Sequence, residues 1–186
     1  MITGRMRKPL LLLVAALSLL SGCSVKEKAK EVWEKMPLVP KQQISPAFTY
    51  PSTGQARTIF QAEQAQPGCK VFAHLLIWTP TGATGLSIAQ AAEQEAAFYG
   101  ADMLLIGRTR LSKDEDGMRF IYYGPDQPYS CQDDWEGWKF GYEDWINQGG
   151  WVSMGYAEWG KPEERFNFPL VLQAAYLRCQ GTETEQ

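Results

Sequence analysis

The sequence predicts a single small domain of the α/β or α+β class, in which a strand-helix-strand unit belongs to a mixed sheet. Three observations predict this fold. Two apolar segments, 69–78 and 102–110, flank a segment with helical periodicity at 87–99. A late apolar segment, 167–179, supplies a further strand, and an aromatic, glycine-rich stretch at 122–168 forms an insertion.

The first strand of the unit begins at Cys69. Residues 69–78 are apolar on both alternating sets of positions, which is typical of a strand buried on both faces. His74 lies in this strand and is therefore expected to be a packed, hydrogen-bonded core residue. The punctuating residues of 79–85 predict a loop.

The helix is expected over 87–99. Ser87, with Gln90 three residues later, can form a capping box at its start. Gly100 is a natural left-handed stop. The apolar stripe comprises Ile88, Ala92, Ala96 and Tyr99.

The strand at 102–110 should run parallel to the first, because a helical crossover joins parallel strands. Met118–Tyr123 and 149–156 are expected to form further strands. The final strand, 167–179, ends at Cys179.

The insertion contains 13 aromatic residues within 122–168, including five of the seven tryptophans of the chain. Aromatic plates beside carboxylates can stack on sugar rings or hold cationic groups. The alternative is that these rings form the small core of an insertion that lacks aliphatic residues. The candidate binding residues are Trp135, Trp138, Tyr142, Trp145, Trp151 and Trp159.

The N-terminus has the layout of an export signal. Arg5, Arg7 and Lys8 precede an apolar run over 9–20. At about 1.5 Å per residue, this run is too short to span a hydrocarbon core of roughly 30 Å. The predicted role is export of the chain.

The motif Leu20-Ser21-Gly22-Cys23 resembles the lipobox of bacterial lipoproteins. The resemblance implies that residues 1–22 are a signal peptide and that Cys23 is the acylated N-terminus of the mature protein. Ser24 resembles the sorting signal for the outer membrane, which would place the domain in the periplasm. Several acyl chains would provide a durable membrane anchor.

Residues 23–58 are expected to form the lipid anchor and a proline-containing tether, with a helix-prone spacer at 24–36. Ile44, Phe48 and Tyr50 suggest that part of the tether packs back onto the domain. The globular domain is expected over 59–180 and a polar tail over 181–186. These boundaries suit one domain in a mature chain of this length.

The charge of the chain limits its possible binding partners, and its cysteines limit its possible disulfides and metal sites. Without its leader the chain has 15 basic and 21 acidic residues, which disfavours nucleic acid as a partner. Besides Cys23, three cysteines remain in a chain expected in an oxidising compartment. If the last strand runs antiparallel beside the first, Cys69 pairs with Cys179; the competing pair is Cys69 with Cys131. CxxC spacing is absent and the sequence has one histidine, so no metal and no cofactor is expected.

A second resemblance covers 69–110 and 168–180. The segments Tyr-Gly-Ala-Asp at 99–102 and Leu-Arg-Cys at 177–179 look like those of small exported α/β lipoproteins, including the Rcs-type envelope stress sensor and its heavy-metal-binding-like relatives. The resemblance implies an α/β fold that uses a disulfide. The aromatic insertion departs from that pattern, and no signalling role is transferred.

The expected function is that of a non-enzymatic, membrane-anchored envelope lipoprotein that presents its domain to a protein or to a glycan such as peptidoglycan. One alternative is a glycan hydrolase that uses Asp134 and Glu158 as its two carboxylates. Another is a metal or redox sensor that uses Cys131.

Overall fold

The computed structural model describes residues 43–115 and 117–179. The predicted signal peptide, the predicted acylation site at Cys23, the predicted spacer at 24–36 and the predicted polar tail lie outside the described residues. Within the part that is described, no helix is long and apolar enough to cross a membrane.

The described chain forms one α+β domain with a mixed seven-stranded sheet and two short α-helices. A short 3-10 helix, Ala62–Gln64, follows the first strand. In chain order the elements are β1 (Arg57–Ile59), β2 (Cys69–Thr79), α1 (Gly85–Phe98), β3 (Met103–Leu111), β4 (Arg119–Gly124), β5 (Tyr129–Ser130), α2 (Tyr142–Ile146), β6 (Trp151–Val152) and β7 (Leu170–Cys179).

The sheet has the order β1-β3-β7-β2-β4. The late strand β7 lies between β2 and β3 and runs antiparallel to both. The predicted strand-helix-strand unit is therefore confirmed with parallel strands, although β2 and β3 are not neighbours. The short strand β5 pairs with β2, and β1 and β6 both pair with β3.

Helix α1 covers one face of the sheet. Its Ile88, Ala92 and Ala96 are fully buried against apolar side chains of the sheet, whereas Tyr99 is only half-buried. Gly100 ends the helix with a φ of 83°, as predicted. A Cβ atom there would lie 2.6 Å from the carbonyl oxygen of Tyr50, so the close approach also requires glycine.

The predicted capping box of Ser87 and Gln90 is wrong. The helix begins two residues earlier, and Thr84 is its N-cap. The Thr84 hydroxyl accepts from the Ser87 N–H at 3.1 Å, and the Ser87 hydroxyl accepts from the Thr84 N–H at 2.9 Å. Ser87 therefore supplies the third-residue partner of the box and does not start the helix.

The insertion covers the other face of the sheet. Alternate β2 residues point to opposite faces, so Leu76 and Trp78 lie away from α1. They pack with Tyr123 and Trp145, while a neighbouring cluster places Trp135 and Trp138 over the strands at Leu105 and Leu177. Aromatic side chains therefore take the place that a second helical layer occupies in many α/β domains.

The strand predicted at 149–156 is limited to Trp151–Val152. Beyond Val152 the chain turns, and the N–H of Trp159 donates to the carbonyl of Gly155 at 2.9 Å. The turn ends the ladder with β3, because its amides bond within the turn. The five-residue helix α2 in the insertion was not predicted.

Part of the predicted tether belongs to the folded unit. Phe48 and Tyr50 pack against the core, and the Tyr50 ring meets Phe72 edge-on at 5.0 Å. Ile44 is 89% exposed, so its predicted packing is wrong. Its neighbour Gln43 exchanges backbone hydrogen bonds with Tyr122, which ties residue 43 to the edge of the sheet.

The disulfide joins Cys69 and Cys179, the first choice from the sequence. These residues are direct partners in the antiparallel β2–β7 register, which brings them together. The competing pair with Cys131 is wrong. Cys131 carries a buried free thiol, and its backbone N–H donates to the carbonyl of Cys69 at 3.1 Å.

Candidate functional site

The six candidate binding aromatics lie in three different places. Trp135 and Trp138 are half-buried against the sheet, and Trp145 is 1% exposed. Tyr142 and Trp151 are exposed and both contact Trp145, with ring centroids 6.1 and 5.0 Å from it. Trp159 belongs to a separate groove beside α1.

The first place is an aromatic cluster around His74. The imidazole stacks on Phe140 at 4.5 Å, lies 5.7 and 6.1 Å from Trp135 and Trp138, and its Nε2 shares a hydrogen bond of 2.7 Å with the Tyr129 hydroxyl. Burial lowers the pKa of His74 to about 3, and the nearby charge of Lys139 acts in the same direction. The predicted core role of His74 is confirmed, and these rings act as packing.

Trp138 packs between this cluster and the sheet. A Cβ atom on Gly107 of β3 would lie 2.7 Å from two ring carbons of Trp138. The indole therefore contacts the backbone of β3 directly, at a position where any side chain would displace it.

A groove beside α1 is a concave site that the fold forms from separate segments. It has a volume of about 620 Å³ and lies between β1, α1 and the turn at 155–161. Its lining combines aromatic, cationic and carboxylate side chains, as small-molecule sites commonly do. The lining residues are Gln55, Arg57, Thr58, Phe60, Glu93, Tyr156, Trp159 and Lys161.

Glu93 provides an oriented acceptor at this site. Its Oε1 accepts a hydrogen bond of 2.6 Å from the Thr58 hydroxyl and one of 3.1 Å from the indole N–H of Trp159. Because the donors come from β1 and from the turn, the carboxylate is fixed from two sides. Such fixed polar groups orient a ligand in an otherwise aromatic pocket.

Three aromatic rings form one wall of the groove. Phe60 meets Tyr156 edge-on at 5.9 Å and Trp159 edge-on at 6.0 Å. Tyr156 is 84% exposed, so most of its ring is available to a ligand. Edge-to-face packing keeps the three planes in a defined arrangement.

The turn that carries Tyr156 and Trp159 is held on the start of α1. The carbonyl of Lys161 accepts from the N–H of Leu86 at 3.0 Å, and the N–H of Gly160 donates to the carbonyl of Gly85 at 3.2 Å. A Cβ atom on Gly85 would lie 1.9 Å from the carbonyl oxygen of Glu158, so only glycine permits this approach. The helix start and the groove wall therefore stabilise each other.

The two predicted hydrolase carboxylates have separate local roles. Glu158 accepts a hydrogen bond of 2.8 Å from the N–H of Gly155 and so closes the turn. Asp134 lies in the turn after β5, where its N–H donates to the carbonyl of Ser130 at 3.2 Å.

The Cys131 thiol is enclosed. Burial, and secondarily the charge of Glu63, raise the pKa of Cys131 to about 11, which keeps the thiol protonated at neutral pH. A protonated thiol is a poor nucleophile and a poor metal ligand. Among the described residues, no group of three or more His, Cys, Asp or Glu side chains could hold a metal ion.

Compared with known proteins, the chain matches no protein-family model, no curated protein and no solved structure. Of the groove residues, the sequence pattern singles out only Trp159. Phe60, Glu93 and Tyr156 were missed because they lie in three segments that the fold brings together. The one sequence feature that could have indicated the groove is the glycine-rich segment around Tyr156.

Proposed function

We propose that the protein is a non-enzymatic, lipid-anchored component of the bacterial cell envelope that binds a glycan in the groove beside α1. The observation that carries this proposal is the exposed Tyr156 ring next to the oriented carboxylate of Glu93. An aromatic plate can stack on the apolar face of a sugar ring, and a fixed acceptor can bind its hydroxyl groups.

The chemistry of the groove suits a polyhydroxylated ligand. The apolar face of a sugar can stack on Tyr156, as apolar ligand surface does on exposed aromatic rings. Sugar hydroxyls can donate to Glu93 and accept from Gln55 or Lys161, which also line the groove. The groove thus offers stacking and hydrogen bonding at one site.

The envelope location is supported by the sequence. The lipobox resemblance at Cys23 implies an acyl anchor, and the leader implies export. The Cys69–Cys179 disulfide suits an oxidising compartment such as the periplasm. Sorting to the outer membrane follows from Ser24 by the same resemblance.

The proposal is tested by titrating the full mature chain, purified in detergent, with chito-oligosaccharides, soluble peptidoglycan fragments and uronic-acid oligomers in a calorimeter. Tyr156→Ala should weaken binding of the active glycan at least about tenfold and leave the urea midpoint unchanged. Phe98→Ala is the matched control, because Phe98 is 67% exposed on α1 and does not line the groove.

Glu93→Gln adds a chemical test. The glutamine oxygen can still accept from Thr58 and Trp159, so the variant should fold while its affinity for the glycan falls. The proposal would be contradicted if Tyr156→Ala bound the glycan with the wild-type affinity, or if the wild-type protein bound none of the glycan classes. Recovery of a cleaved glycan would instead favour the hydrolase alternative with Asp134 and Glu158.

A protein partner is the second candidate. The observation that favours it is the pair Tyr142 and Ile146, which are 47% and 37% exposed and lie one turn apart on α2. Exposed aromatic and aliphatic side chains that lie together are typical of protein-binding patches. Loss of partner cross-linking in Tyr142→Ser, with glycan binding intact, would identify this second face.

A further inference from the structure

We infer that the groove beside α1 is one end of a longer cleft, and that its ligand is a linear, negatively charged glycan several sugars long. This inference rests on the proposed glycan binding and specifies its ligand. Three observations carry it: a second pocket that shares a wall with the groove, a second exposed aromatic plate, and a lining that has more cations than carboxylates over the two pockets together.

The second pocket has a volume of about 430 Å³ and lies along β3 at Gly107 and Thr109. Tyr156 lines both this pocket and the groove, so its ring separates two adjacent concavities. Because β1 pairs with residues 103–105 and β6 with 109–110, the two pockets follow each other along one strand. At about 3.3 Å per residue, these pairings span roughly 23 Å along β3.

Trp151 provides the aromatic plate of the second pocket. It is 59% exposed, and the guanidinium groups of Arg108 and Arg110 lie 5.5 and 5.1 Å from its ring. The cation contacts hold the indole in place while most of it faces solvent. The cleft therefore presents Trp159 with Phe60 at one end, Tyr156 in the middle and Trp151 at the other end.

Cations outnumber carboxylates along the cleft, although acids outnumber bases in the whole chain. Both carboxylates, Glu93 and Glu158, already accept hydrogen bonds from the protein. A polymer with repeated acidic groups would match this local excess of positive charge. The cations that line the two pockets are Arg57, Arg108 and Lys161.

The test compares oligogalacturonates of one to six units with neutral N-acetylated chito-oligosaccharides of equal length, titrated into the full chain in detergent. The affinity for the acidic series should rise with length by more than about tenfold between dimer and hexamer, because only the longer ligand fills both pockets. The neutral hexamer should bind at least about tenfold more weakly, and added salt should weaken binding of the acidic one.

Two variants locate the second pocket. Trp151→Ala should weaken binding of the hexamer by roughly tenfold and leave binding of the dimer unchanged. Arg108→Gln, at an exposed position, should weaken binding of the hexamer and reduce its salt dependence without affecting folding. Its conservative partner Arg108→Lys should recover most of the salt dependence.

The outcomes separate this inference from the proposed function. If dimer and hexamer bind equally and neither variant has an effect, the extended cleft is wrong while glycan binding in the groove stands. If the neutral hexamer binds as tightly as the acidic one, the assignment of a charged ligand is wrong. If no oligosaccharide of either series binds, both this inference and glycan binding are contradicted.

Discussion

Gly107 gives the sharpest test of how the insertion packs on the sheet. A Cβ atom at this position would lie 2.7 Å from two ring carbons of Trp138 and 3.0 Å from the Cβ of Gln173. The indole has little room to retreat, because it also contacts Trp135 at 5.3 Å and His74 at 6.1 Å. We therefore expect Gly107→Ala to lower the free energy of unfolding by about 1 to 3 kcal/mol, the usual cost of overpacking.

The assay is urea unfolding of the full chain, monitored by tryptophan fluorescence. Gly150→Ala is the matched control, because no atom lies within 4 Å of its added Cβ. It should be neutral or stabilise by up to about 1 kcal/mol, through the lower entropy of the unfolded chain. In a Trp138→Leu background the additional cost of Gly107→Ala should fall, although the contact of the added Cβ with the Gln173 Cβ at 3.0 Å remains. Equal stability of wild type and Gly107→Ala would refute the reasoning, as would an undiminished cost in that background.

Three further predictions concern the disulfide, the histidine and the anchor. Replacing Cys69 and Cys179 together by alanine should lower the free energy of unfolding by about 4 to 5 kcal/mol, because the bridge closes a loop with a sequence separation of 110. The control is Cys131→Ala, which should lower the free energy of unfolding by only about 1 kcal/mol. Both are measured by urea titration. His74 titrates with a pKa of about 3 in the folded protein, against the ordinary histidine value of 6.5, so the unfolded chain binds the extra proton between these values. Stability should fall by up to about 1.4 kcal/mol per pH unit as the pH drops below the ordinary histidine pKa, and a His74→Phe variant that kept the same slope between about pH 7 and 5 would contradict this. Cys23→Ser should release the protein from the membrane fraction and abolish metabolic labelling with palmitate; retention with acylation would disprove the anchor.

The central elements could be predicted because their signals are local. Residues 69–78 and 102–110 are continuous apolar runs, and Gly100 marks the helix end. The disulfide followed from one further assumption, the antiparallel pairing of the first and last strands. The start of α1 was misplaced because both Thr84 and Ser87 are good caps, and only the backbone shows which one precedes the first helical turn.

The division of the aromatic residues could not be predicted from the sequence. Trp145 and Trp151 lie close together in equally aromatic surroundings, yet one is buried and the other is exposed. Their burial depends on which positions of the insertion face the sheet, a long-range property that a glycine-rich segment does not encode in its periodicity. The groove was missed for the same reason, since Thr58, Glu93 and Trp159 meet only after folding.

The two kinds of aromatic residue imply different mutational behaviour. Rings that cover the sheet, such as Trp138, should affect stability when they are truncated. Rings along the cleft, such as Tyr156, should affect binding at nearly constant stability, because an exposed side chain contributes little to folding. This contrast separates a packing role from a recognition role within one aromatic-rich region.

The most direct test of the binding site is a calorimetric titration of three forms of the full chain with the glycan that binds the wild type. Tyr156→Ala should lose at least about tenfold in affinity while its urea midpoint is retained. Trp138→Leu should bind with the wild-type affinity although its urea midpoint falls. The reverse pattern, in which Trp138→Leu loses binding and Tyr156→Ala keeps it, would place recognition on the insertion and contradict the assignment of the cleft.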